Sequence, residues 1–511
     1  MNLNVLKAAV IALAFSPVLC YGQWNMLGMP IAGISESDKL GSLNSVAVDS
    51  DGTTIVVGSG RNSDFGTFYG YAKVLDWDGS QWIQRGSTFL GSSLLEGTGS
   101  ALDISNDGNT VAISSPWGYN SMDYKCGVVN IYDWDGDTWV LRGNTIEGEG
   151  SPSPLLQNDV FGLALSLSPD GNYIAIGAPQ NTQEVGVLQL QGHVRVYHWD
   201  GQSWTQVGED IDGEISLEEF GHSLDISADG TKVAIGGRGF RIWTDGVVTT
   251  DGAGIVRTYA WDGVEWNLRD EPMIGTEQGE KLGTAVSLSD DGNIMAVSSP
   301  NPFGLNGTTN IFDYNGTDWV LRSAIIGING ALAGPSNDLS ADGTTLVIGE
   351  PWQNFVNGGT RVLNWNGTQW IPENEDFSTL ISSPGVIGFG SAVRISSDGN
   401  AIVVGAPSED AVSFDEGRVY VFQNSLIASS PLLDKTALSV YPNPTSGMLR
   451  VSSDDEILSY HVLSLEGRIC DSGTGNRASE VKIDLTGLTS GVYFLKIQTL
   501  QNERAFKFIK Q

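Results

Sequence analysis

Phe161-Gly162-Leu163-Ala164-Leu165-Ser166-Leu167-Ser168-Pro169-Asp170-Gly171, followed by Tyr173-Ile174-Ala175-Ile176-Gly177-Ala178-Pro179, is the stretch that decides the fold. After a variable loop the chain continues His193-Val194-Arg195-Val196-Tyr197-His198-Trp199-Asp200-Gly201, and the unit closes around Trp204. These are four short runs with β character, separated by turn residues. Asp-Gly between alternating apolar runs is a hairpin signal, because Gly takes the positive φ that the turn demands.

The same text returns along the chain. Asp51-Gly52, Asp107-Gly108, Asp170-Gly171, Asp229-Gly230, Asp291-Gly292, Asp342-Gly343 and Asp398-Gly399 recur at intervals of roughly fifty to sixty residues. A third run in each unit ends in an aromatic before a second turn: Trp77, Trp134, Trp199, Trp261, Tyr314 and Trp365. Five positions later stands a further tryptophan: Trp82, Trp139, Trp204, Trp266, Trp319 and Trp370. A four-residue loop sets each pair opposite one another on adjacent strands, which gives these tryptophans a structural role. Four antiparallel strands per unit, repeated, predict an all-β fold with a seven-bladed β-propeller over residues 23–423.

The seventh unit lacks its fourth strand. Gln23-Trp24-Asn25-Met26-Leu27-Gly28 resembles the fourth-strand pattern Gln81-Trp82-Ile83-Gln84-Arg85-Gly86, so the N-terminal strand is expected to complete the last blade. Such closure removes an unpaired edge.

Residues 1–22 read as a signal peptide: Lys7 is the positive flank, Ala8 to Phe15 the apolar core, and Cys20-Tyr21-Gly22 the small-residue end. Leu19 stands where a lipobox wants a small residue, and the apolar run is short for a membrane anchor. Cys126 and Cys470 are far apart, so no disulfide framework is implied, and no metal spacing appears. The net charge of −33 disfavours a nucleic-acid partner and an anionic membrane surface. From Asp434 onward the chain carries nine basic and nine acidic residues, so the whole imbalance lies before it. That shift places a linker at 424–435 and a second domain at 436–511, whose short strands suit a small β-sandwich.

The tail carries Tyr441-Pro442-Asn443-Pro444-Thr445-Ser446-Gly447, then Gly491-Val492-Tyr493 and a basic end. It resembles the type A C-terminal sorting domain of the type IX secretion system. The resemblance implies an Ig-like address read by the outer-membrane translocon, and a secreted or outer-surface location. The propeller units resemble the FG-GAP class of integrin-α-type propellers. Phe161-Gly162, Phe220-Gly221 and Phe389-Gly390 carry the first half, and Gly177-Ala178-Pro179 and Gly405-Ala406-Pro407 the second. Unit one departs at both places. The family's calcium loop has several alternating carboxylates, whereas most turns here keep a single Asp. Calcium is therefore not carried over.

Loops joining second to third strands share a face with those joining blades. They bear Trp117, Tyr119, Tyr124, Trp243, Phe303 and Trp352, which form the candidate platform for a glycan or protein. The inter-blade segment Glu209 to Glu219 adds acids, expected as a solvated rim, with cation binding among them as the alternative. His193 and His198 fall on opposite faces of one strand, and His222 lacks an accompanying nucleophile motif. The expectation is thus a non-enzymatic recognition or adhesion module with no cofactor, no metal and no catalytic residue. A polysaccharide hydrolase using loop carboxylates, or a structural surface-layer component, is the alternative.

Overall fold

The computed structural model describes residues 24–60, 69–150, 159–182, 190–244, 247–300, 306–327, 334–351, 358–373, 388–409 and 415–424. In the tail it describes 439–441, 445, 447–464, 468–489, 491–499 and 503–510. The chain divides into two compact units, 1–425 and 426–511. Among the described residues every regular element is a strand.

In the first unit the strands form successive antiparallel four-stranded sheets. Sheet 1 runs, from inner to outer strand, Val46–Val48, Thr54–Ser59, Tyr71–Trp77 and Trp82–Leu90. Sheet 3 runs Ala164–Leu167, Tyr173–Ala178, His193–Trp199 and Trp204–Gln206, with Ile211–Asp212 returning to the third strand. Sheets 2, 4, 5 and 6 repeat the plan with inner strands Leu102–Ile104, Phe220–Ile226, Ala285–Leu288 and Asn337–Leu339. Sheet 7 has the inner strand Ala392–Ile395, and its outer strand is Trp24–Met26 from the other end of the chain. Trp24 pairs with Asn424 and Met26 with Phe422. Each inner strand lies against the next, and Ala392–Ile395 lies against Val46–Val48, which closes a propeller-like circle.

The hairpins form for a local reason. In Ser168-Pro169-Asp170-Gly171, the Ser168 hydroxyl donates to Asp170 Oδ1 at 2.6 Å, and the Asn172 N–H donates to the same oxygen at 3.0 Å. Ser105/Asp107, Ser227/Asp229, Ser289/Asp291, Ser340/Asp342 and Ser396/Asp398 repeat this bond. The lone carboxylate of each turn is engaged by its own hairpin.

Sheet-to-sheet packing explains the glycines. A Cβ on Gly177 would lie 2.1 Å from the Gly221 carbonyl, so adjacent backbones touch there. Gly405 meets the Gly41 carbonyl in the same way at 2.0 Å, across the closing seam. Leu40-Gly41 is therefore unit one's counterpart of Phe220-Gly221, a match the sequence reading missed because Leu replaces Phe. Phe161, Phe220, Phe389 and Leu40 are all buried.

At the outer rim the paired aromatics meet as expected, with ring centroids 5.2–5.6 Å apart in sheets 1 to 6. Such pairs contribute about 0.5–1.5 kcal/mol beyond burial. The second tryptophan also ties neighbouring sheets. The indole N–H groups of Trp82, Trp139, Trp204 and Trp266 donate to backbone carbonyls of the preceding sheet's outer-strand segment at 2.8–3.1 Å. Arginines three positions after a tryptophan stack on the next sheet's aromatic: Arg85 on Trp134, Arg142 on Trp199, Arg269 on Tyr314 and Arg322 on Trp365. At the closing seam Glu373 takes the arginine's place, and its Oε2 accepts the Trp24 indole N–H at 2.5 Å.

In the second unit, Met448–Leu463 pairs with Ser439–Tyr441, Ile469–Asp484 and Gly491–Thr499, and the last of these pairs with Glu503–Lys510. Leu449, Val451, Ile457, Val462, Ile483, Leu485, Leu495 and Ile497 form its core.

Candidate functional site at the axis

A recurring inner-strand position is held in sheets 1 to 7 by Ala47, Asp103, Ser166, Asp225, Ser287, Asp338 and Arg394; Ala47 packs in the apolar core, and the other six are polar. Asp103, Ser166, Asp225, Asp338 and Arg394 line a cavity of about 130 Å³. A second, smaller cavity of about 30 Å³ shares Leu165, Leu224, Val286, Asn337 and Arg394 with it and adds Asn44 and His222.

The carboxylates are held by a relay around the axis. Asp103 Oδ2 accepts the Leu167 N–H at 2.7 Å, Asp225 Oδ2 the Leu288 N–H at 2.7 Å, and Asp338 Oδ2 the Ile395 N–H at 2.9 Å. Each thus reaches a neighbouring sheet in the circle. Ser166 donates to Asp225 Oδ1 at 2.7 Å, and Ser287 to Asp338 Oδ1 at 3.2 Å. Burial raises all three carboxyls to about 6, with hydrogen bonds offsetting part of the rise. The Arg394 charge opposes the rise at Asp103 and Asp338, while the carboxylates raise one another. The Arg394 guanidinium borders the same cavity, and the three raised carboxyls hold their protons to higher pH than an ordinary aspartate does.

Two polar atoms beside the carboxylates lack partners. Asn337 donates from Nδ2 to Ser298 Oγ at 2.6 Å, but its Oδ1 has none. His222 is buried, and its Nε2 is likewise unpartnered. Burial, then Arg238 and Lys281, push its imidazole down to about 3, so it is neutral.

The loop aromatics do not gather into one platform among the described residues. Trp117, Tyr119 and Tyr124 share one loop of sheet 2. Trp117 packs its ring over Gly97, and Tyr124 packs its Cβ against Gly150, so both are half-buried under their own surroundings. Tyr119 is exposed at 47%. Trp243 lies on Ile242–Thr244, half of a two-stranded ribbon in the sheet 4 loop. Phe303 and Trp352 lie outside the described residues. The acidic rim is corrected at one position. Glu218 is 0% exposed, accepts the Glu214 and Ile215 N–H groups, and ion-pairs with Arg257.

In the tail, Tyr441 lies on Ser439–Tyr441, while Pro442, Asn443 and Pro444 lie outside the described residues. Gly447 accepts the Leu485 N–H at 2.6 Å, and Gly491 opens its strand opposite Lys510. Tyr493 is buried and donates its hydroxyl to Thr489 O at 3.0 Å. Residues 439–511 match the family described as secretion system C-terminal sorting domain. That tail marks the chain for the cell surface or the extracellular space. Export therefore runs through the type IX machinery. Among the described residues no helix is long and apolar enough to cross a membrane.

No curated protein matches the chain in sequence. Solved structures that resemble it include a protein assigned as a 6-phosphogluconolactonase from Bacteroides uniformis, with 13% identity and a TM-score of 0.42 over 65% of this chain and 85% of that one. The periplasmic gluconolactonase PpgL of Pseudomonas aeruginosa shows 14% identity and a TM-score of 0.42, over 87% and 98%. Saccharomyces cerevisiae Sqt1 shows 12% identity and a TM-score of 0.43, over 78% and 99%. The expectation that the chain is not an enzyme is corrected on this finding, because proteins named as lactonases are among its structural matches. Matches at these identities and TM-scores assign no reaction to this chain.

Proposed function

We propose that the chain is an exported seven-bladed propeller of FG-GAP-like repeats over residues 23–423. A leader at 1–22 and a linker at 424–435 flank it, and 436–511 is an Ig-like sorting domain. Its function is capture of a small ligand rich in amines and hydroxyls at the axis, on the ring of Asp103, Asp225 and Asp338. The observation that carries this reading is the gathering of three half-buried carboxylates and the unpartnered Asn337 Oδ1 around one cavity, with the unpartnered His222 Nε2 on the smaller cavity that adjoins it. Buried polar groups without partners are costly, and a ligand that satisfies them recovers that cost as affinity.

A second reading, hydrolysis of the captured ligand, is favoured by the carboxyls raised to about 6. Titration calorimetry with glucosamine and an assay of glucono-δ-lactone hydrolysis test both. Saturable glucosamine binding that falls about tenfold or more in Asp225→Asn supports capture, and lactone turnover lost in the same variant adds hydrolysis. Binding that survives Asp225→Asn and His222→Ala but disappears in Tyr119→Ala would move the site back to the loop face.

A further inference from the structure

Sheet 3 carries a cluster that none of the other sheets repeats. His193 is the first residue of its third strand; the corresponding residues elsewhere are Tyr71, Val128, Ile255, Thr308, Gly359 and Arg418. Asp212 lies directly opposite His193 in the register of Ile211–Asp212, and Asp210 stands two residues earlier. One donor atom from each of His193, Asp210 and Asp212 lies within 4.8 Å of the others.

The imidazole is the decisive observation. His193 is 1% exposed, and its Nδ1 is aimed at Asp210 Oδ2 across 3.7 Å. That gap is too long for a hydrogen bond. An ion seated between Nδ1 and the two carboxylates would bridge it, with the ring proton on Nε2, which is buried and has no acceptor to compete for it.

The surroundings favour a dication. Arg195 donates to both Asp210 oxygens at 2.7–2.9 Å and to Glu149, which fixes the orientation of the Asp210 carboxylate. Metal-ligating carboxylates are commonly oriented by such an outer partner. Asp159 faces Glu149 and Arg195, is buried, and has an unpartnered Oδ2. Burial, then Glu149, raise its carboxyl to about 7. Glu149, Asp159 and Asp210 thus surround a single guanidinium.

We propose that His193, Asp210 and Asp212 bind one divalent transition-metal ion of the zinc class. One imidazole and two carboxylates leave a coordination position open for water or a ligand oxygen. The site stands apart from the axis and does not depend on the reading given for it.

Equilibrium dialysis of the full chain against zinc, with metal counted per chain, tests the proposal. One zinc per chain is expected, with affinity about tenfold weaker or worse in His193→Gln and in Asp212→Asn. Asp212 is exposed, so the second variant should keep the parent's circular dichroism and melting without metal. Zinc should raise the melting temperature of the parent and leave that of Asp212→Asn unmoved. No zinc binding by the parent, equal binding by Asp212→Asn, or calcium taken in preference to zinc would overturn the assignment.

Discussion

The rim and the axis of the circle use polar residues for opposite ends. At the rim, tryptophans, tyrosines and arginines tie neighbouring sheets together: the indole N–H groups of Trp82, Trp139, Trp204 and Trp266 find carbonyls and guanidinium planes lie on rings, while Trp77 Nε1, Trp370 Nε1, Arg142 Nε and Arg322 Nη1 have no partner. At the axis, half-buried carboxyls stand around a cavity, Asn337 Oδ1 on that cavity has no partner, and neither has His222 Nε2 on the smaller cavity beside it. The cavity separates the two regions: rim groups are packed between rings and sheets and stabilise the fold, whereas the axial ones border open space that leaves room for a ligand.

Breaking the rim at its closing seam should have the largest effect. Trp24 is buried in the core of Phe389, Tyr420 and Phe422. Trp24→Ala is expected to cost about 3–5 kcal/mol in chemical denaturation. Removal of residues 23–27 should lower the melting temperature further and produce association by size exclusion, through the bared edge of Arg418–Asn424. Unchanged melting and a clean monomer would show that the circle does not need this strand.

At the axis, Asp225→Ala strands the Leu288 and Ile226 N–H groups and the Ser166 hydroxyl. A cost of about 1–3 kcal/mol is expected, and Asp225→Asn should recover most of it. Arg142→Ala, back at the rim, removes stacking on Trp199 and Trp204 and a 2.9 Å bond to Gly171 O. Roughly 1–2 kcal/mol should be lost, with no change in ligand binding.

The smallest effect is on pH dependence. The axial carboxyls are raised to about 6, against about 3.9 in an unfolded chain. Between those values the folded chain holds more protons, so their contribution to stability falls as pH rises from about 4 to about 6 and then levels. The triple variant with Asn at 103, 225 and 338 should flatten that slope in melting experiments. Part of it should remain, because Asp49 and Asp159 are also raised, to about 6 and about 7.

Legibility followed the same division. Rim and hairpins were readable because each repeats a local rule: Asp-Gly sets a turn, and an aromatic pair five apart sets a register. The N-terminal strand was readable because Trp24 copies Trp82. Leu40-Gly41 was not, since its role is a backbone approach across the seam and the glycine alone is a weak signal. The axis was hidden for another reason. Asp225 within Ser223-Leu224-Asp225-Ile226-Ser227 reads as the solvent side of an ordinary alternating strand, and only closure of the circle turns that side inward. A signal existed in the Leu/Val-Asp/Ser/Arg-Leu/Ile core of most inner strands. The loop aromatics carried no such repeat, and Trp117 and Tyr124 are taken up by Gly97 and Gly150.

The most direct measurement sets rim against axis in one titration series. Glucosamine is titrated into the parent, Asp225→Asn and Arg142→Ala, and melting is recorded for each. Asp225→Asn should lose binding while melting close to the parent, and Arg142→Ala should melt lower while binding as the parent does. Binding that follows Arg142 and ignores Asp225 would contradict the division of labour between the two regions.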